Sequence, residues 1–208
     1  MRRVTMVFLV LLATACQACS HKHFIKSSAL FERYQVDYPT TSRFEICYSH
    51  DCESTASVAL NDQEWKEIQE LFSEAPPDPS SERLRIAKSI AKLEAIVGRK
   101  TGTSVDVGGT FSGLFTGYQL DCVDETVNTS VYLTLLLQNG LIRFHDLKGT
   151  ATRGFFVMDW PHVAALIVDT TTEEQYVVDS WFSDNGMPAH VVPLDTWSQG
   201  WHPVSKAM

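Results

Sequence analysis

Cysteine is scarce, with five in 208 residues, too few for a fold built on disulfides. No stretch reaches the roughly 20 consecutive apolar residues that a membrane-spanning helix needs. Positive charge is in deficit: 17 Lys and Arg face 25 Asp and Glu, a formal charge of −8. An acidic body of this kind repels phosphate backbones and excludes general nucleic-acid binding. Gly102–Gly117 holds five glycines, but it lacks the Lys-Ser/Thr ending of a phosphate loop and fits no dinucleotide fingerprint, so no cofactor is expected. Internal repeats and low-complexity linkers are also lacking. What is present is a foldable composition, 44% hydrophobic and 20% charged, enough for a packed core and incompatible with global disorder.

The N-terminus is patterned. Arg2 and Arg3 precede the apolar run Val4–Ala13, which ends at the small-residue step Ala13-Thr14-Ala15. That order is a secretory signal, so residues 1–15 are expected to be removed and the protein to leave the cytoplasm. Removal takes both arginines and no acid, lowering the formal charge by two from −8 to −10. Leu12-Ala13-Thr14-Ala15-Cys16 resembles the lipobox of bacterial lipoproteins, which implies a lipid anchor on Cys16 at the periplasmic face of a membrane. Ordinary cleavage to a soluble periplasmic protein stays open beside it. In an oxidising compartment Cys47 and Cys52, with four residues between them and a turn at Ser49–Asp51, are expected to form a disulfide. A metal site using His50 is the other reading, and it lacks an evident fourth ligand.

Residues 16–41 are mixed and polar and are read as a tether to one domain, 42–208. Arg43–Tyr48 alternates like a strand. Asp62–Glu74 carries Trp65, Ile68, Leu71 and Phe72 on one helical face. Pro76–Ser80 resets the chain, and a second helix is expected over Ser81–Val97 with Gly98 as its stop. A third runs from about Asp121 to Gln138, ended by Asn139-Gly140. Strands are expected at Leu141–Leu147, His162–Asp169, Gln175–Phe182 and Ala189–Pro193, the middle pair joined by a turn at Thr170–Glu174. The fold class is therefore α+β, N-terminal helices packed on an antiparallel sheet.

Three residues carry candidate chemistry. Cys122 stands at the start of the third helix, where backbone N–H groups favour thiolate. Asp121, Asp124 and Glu125 work against ionisation, so activation needs a basic partner. His162 opens an apolar strand and can take the thiol proton. If the two middle strands pair across their turn, Asp179 falls nearly opposite His162 and can orient the imidazole. Other histidines offer less: His145, His190 and His202 share no ligand spacing, so no metal is expected. Trp181, Trp197 and Trp201 are read first as packing residues.

Cysteine at a helix start, histidine about forty residues on at a strand and aspartate on the next strand is the order of the transglutaminase-like enzymes, within the papain-like cysteine enzymes. The resemblance covers about Gln119–Phe182 and rests on Cys122, His162 and Asp179. It implies a transglutaminase-like core and acyl transfer or amide hydrolysis through a Cys-His-Asp triad on a peptide or amide substrate of the cell envelope. It also implies an oxyanion donor near Cys122, for which Gln119 is the nearest side chain. The competing reading is an envelope lipoprotein that uses the same fold for binding alone.

Overall fold

The computed structural model describes residues 23–25, 27–110, 117–154 and 161–204. Five strands form one antiparallel sheet in the order β1-β4-β5-β6-β7: His23–Ile25 (β1), His145–Arg153 (β4), His162–Asp169 (β5), Gln175–Asp179 (β6) and His190–Pro193 (β7). A separate hairpin pairs Phe44–Tyr48 (β2) with Ser54–Val58 (β3). The helices are Ser27–Tyr34 (α1), Asp62–Glu70 (α2), Pro79–Thr101 (α3), Cys122–Gln138 (α4) and Leu194–Ser198 (α5). The architecture is α+β with antiparallel sheets, as the sequence pattern predicts.

Helix starts follow local chemistry. Asn61 and Glu64 cap α2 reciprocally, and Asp78 caps α3 with Pro79 just inside, where a missing N–H does no harm. Asp121 accepts from Val123 N–H at 3.0 Å and Asp124 N–H at 2.9 Å. Asp124 returns the bond by accepting from Asp121 N–H. The acids flanking Cys122 are thus the capping box of α4.

Helix α4 is the centre of the molecule, with 14 of its 17 residues buried. Val127, Val131, Leu135 and neighbours join α3, the β2–β3 hairpin and the sheet face of Ala165, Ile167 and Val178 in the main core. The opposite sheet face, with Ala151, Ala164, Leu166 and Val177, is closed by Leu194 and Trp197 of α5. Buried polar residues lock α4 in place. Asn128 accepts from Cys47 N–H at 2.6 Å and donates to Cys47 C=O at 2.9 Å, completing the backbone bonding of β2 from its side. Thr126 donates to Val163 C=O at 3.0 Å, tying the first turn of α4 to the start of β5.

Several boundaries differ from expectation, each with a physical reason. Helix α3 continues through Gly98 and ends at Gly102, whose φ of 90° supplies the left-handed cap. Gly98 instead admits its neighbours: a Cβ there would lie 2.8 Å from Asn185 Oδ1 and 2.9 Å from Ser104 N. Gly108 likewise leaves room for the backbone of Ser183. Strand β4 begins at His145, not Leu141, because the Glu82 carboxylate takes the N–H groups of Arg143 and Phe144 at 2.7 and 2.9 Å. Strand β6 stops at Asp179 because Trp181 C=O turns to Gly109 N–H and Ser180 C=O to Ser183 N–H. Residues 27–34, within the stretch read as tether, form α1, which buries Leu30 and Phe31. Strand β1 just before it pairs with β4 at Thr150–Thr152. Cys16 and Cys19 lie outside the described residues.

Candidate active site

The β5–β6 hairpin pairs Ala165 with Val178 and Leu166 with Val177. Continued outward, this register sets Asp179 beside Ala164, two residues from His162 and on the same face. The two side chains meet on the diagonal, with His162 Nε2 2.8 Å from Asp179 Oδ2. Both are buried, at 7% and 1% exposure. Trp197 Nε1–H donates to the same Asp179 oxygen at 2.7 Å. The imidazole is enclosed by Trp181, Phe182 and Trp197, whose ring centres lie 5.0, 5.2 and 5.5 Å away. A carboxylate facing Nε2 makes that nitrogen the N–H donor and leaves the lone pair on Nδ1.

Cys122 is a buried free thiol at the first position of α4. It shares a cavity of about 220 Å³ with His162, Pro161, Val163, Thr150 and Thr152, and residues of α1 and Asp51 complete the wall. Burial is the main force on the thiol, pushing its pKa up to about 12. The Val163 N–H opposes this, and the charges of Asp121 and Asp179 add to it. At neutral pH the cysteine therefore rests as a thiol, and any reaction as a nucleophile would need a base to take its proton.

The acids around it are held by a second piece of chain. Cys47 and Cys52 are joined as a disulfide across a loop in which Ser49, His50, Asp51 and Cys52 all have positive φ, from 47° to 74°. That conformation points three successive N–H groups at the start of α4. His50 and Cys52 N–H donate to Asp124 at 2.8 and 2.9 Å, and Asp51 N–H to Asp121 at 3.0 Å. Even so, burial raises Asp124 to about 7, with the Asp121 charge adding to it. Burial raises Glu125 to about 8, with help from Asp106. Glu125 accepts a 2.5 Å bond from Ser180, which in turn meets Thr129 at 3.0 Å. Ser180 therefore anchors the residue after Asp179 to α4.

Gln119 is turned away from the thiol. Its amide nitrogen is engaged by Asp106 and by Val107 C=O, and its oxygen accepts from Val107 N–H at 3.2 Å. It pins residues 106–107 and is not among the cavity's lining residues, which removes it as an oxyanion donor. The backbone N–H groups of Val163 and Cys122, both directed at the thiol, are donors beside the sulfur. His145 has both ring nitrogens occupied, by Glu82 at 2.8 Å and Arg83 at 3.2 Å, and is no metal ligand. His50, Asp121 and Asp124 present ligand atoms within 4.8 Å of one another, but both carboxylates already accept several backbone N–H groups.

Trp197 is the positioning residue that the sequence alone missed. It lies eighteen residues beyond Asp179 on a short helix, and no periodic pattern connects the two. No protein-family model, curated protein or solved structure matches this chain.

Proposed function

We propose that this chain is an exported cysteine hydrolase or acyltransferase that attacks an amide through Cys122, His162 and Asp179, on a transglutaminase-like core. The observation that carries the reading is the buried 2.8 Å His162–Asp179 pair opening onto the cavity that holds Cys122. His162 Nδ1 takes the thiol proton as Sγ bonds to the carbonyl carbon. The same proton then passes to the departing amine as the C–N bond breaks, leaving a thioester. Water releases the acid, or a second amine takes the acyl group. Asp179 holds the imidazole in the required tautomer and stabilises its charged form. The patterned N-terminus and the Cys47–Cys52 disulfide support an exported protein, with Cys16 as the proposed lipid-bearing residue.

The test is the pH dependence of Cys122 alkylation by iodoacetamide in wild type and in His162→Ala. Reaction at neutral pH that falls at least tenfold in the variant is the expected result. Reaction that rises only in strong alkali, identically in both proteins, would sink the proposal. The second reading is an envelope lipoprotein that binds without catalysis. It is favoured by the thiol's rise to about 12 and by the engagement of Gln119 elsewhere.

A further inference from the structure

The cavity beside Cys122 carries polar groups that the catalytic trio does not use. Thr150 forms part of its wall, is fully buried, and its hydroxyl has no hydrogen-bond partner. A buried hydroxyl left without a partner destabilises a fold unless something meets it, and Thr150 is one of the residues lining the cavity. At the mouth stand two exposed charges of opposite sign, Arg33 from α1 and Asp51 from the disulfide loop. They are spaced by one side chain, Tyr34. The Arg33 guanidinium lies 5.3 Å over its ring, and its hydroxyl donates to Asp51 Oδ1 at 3.3 Å. No carboxylate among the described residues pairs with Arg33. The cation and the anion are thus held apart, each with capacity to spare, on the rim of a small and mainly apolar cavity.

We propose that this cavity takes a short zwitterionic peptide: a free carboxylate on Arg33, a free ammonium on Asp51 and a peptide polar group on the Thr150 hydroxyl. The inference rests on the proposed function for its reacting atoms, and it names the substrate class as peptides with both ends uncapped near the scissile amide. Arg33 offers the forked donors that match a carboxylate. Asp51 has a carboxylate oxygen beyond the one bound by Tyr34. A substrate with only one charge would leave half of the rim unused.

The test is binding, so that it does not depend on turnover. The full chain carrying Cys122→Ala, or Cys122→Ser if the alanine variant is unfolded by circular dichroism, is titrated with trialanine in L and D forms. N-acetyl and C-amide forms of the same peptides follow. Each cap is expected to weaken binding about fivefold to tenfold, the scale of one charge-assisted pair at a partly exposed site. Arg33→Gln should remove the penalty for the amide cap alone, and Asp51→Asn the penalty for the acetyl cap alone. Equal affinity for capped and free peptides, selectivity unchanged in both variants, or no peptide binding at millimolar concentration would each overturn the proposal. Failure here, with His162-dependent alkylation intact, leaves the proposed chemistry standing. The reverse pattern leaves a peptide-binding cavity without catalysis.

Discussion

Among the described residues, two buried histidine–carboxylate pairs have the same length, and only one of them faces anything reactive. His145 and Glu82 meet at 2.8 Å, as do His162 and Asp179. His145 gives its second nitrogen to Arg83, and Glu82 spends its remaining capacity on the N–H groups of Arg143 and Phe144. That cluster is closed and clamps the start of β4 to α3. His162 has one nitrogen fixed by Asp179 and opens toward a cavity shared with a thiol. A buried histidine–acid pair is therefore no mark of catalysis in itself. What separates the two pairs is the use made of the second ring nitrogen and the presence of a nucleophile within the same cavity.

The sharpest way to break the comparison is to remove each imidazole. His162→Ala is expected to slow reaction at Cys122 by about 10²–10⁴-fold, the range of a lost general base, with the fold retained. His145→Ala should leave the rate of the folded protein unchanged. Iodoacetamide labelling followed by mass spectrometry reads both, and equal losses would erase the distinction. Asp179→Asn keeps the shape of the pair but favours the wrong tautomer, and a loss on the order of 10³-fold is expected in the same assay.

The second histidine should show itself in stability. His145→Ala leaves the buried Glu82 without its imidazole partner, and a loss of about 3–5 kcal/mol is expected from urea unfolding. A loss under about 1 kcal/mol would mean that the cluster is not the clamp described above.

The smallest effect is a slope. Burial, aided by Asp106, raises Glu125 from its ordinary 4.5 to about 8, so the folded state holds this proton more tightly than the unfolded chain does. Its contribution is complete below about pH 4.5 and is lost as the pH climbs to about 8. The wild-type melting temperature should therefore fall across that window. Glu125→Gln should flatten the fall without abolishing it, since burial also raises Glu94 and Asp106. An unchanged slope in the variant would count against the buried acid.

Much of this was legible in the sequence. The apolar run from His162 to Asp169 and the turn beyond it gave β5 its observed limits, and the hairpin brought His162 and Asp179 onto one face. The sequence could not show where long-range polar groups would be spent. Glu82 intercepts the backbone before β4 from more than sixty residues away, and Gln119, close to Cys122 in the chain, turns to Asp106 instead. The N–H groups at residues 50–52 reach Asp121 and Asp124 across some seventy residues. That is how Asp121 and Asp124 can crowd the start of one helix, with Asp124 fully buried. Helix α1 was hidden for another reason: it buries only Leu30 and Phe31, too few to raise a periodic signal from a polar stretch.

The pairing of β1 with β4 bears on where the protein works. The N-terminal stretch is part of the folded body from His23 onward, and α1 forms one wall of the cavity. With a lipid on Cys16, as proposed, only the seven residues 16–22 would separate the bilayer from the sheet. Fully extended, they span at most about 25 Å at roughly 3.5 Å each. On so short a leash the protein would sample a shell next to the membrane, not the depth of the compartment. Its substrates would be those that pass, or are made, at that surface.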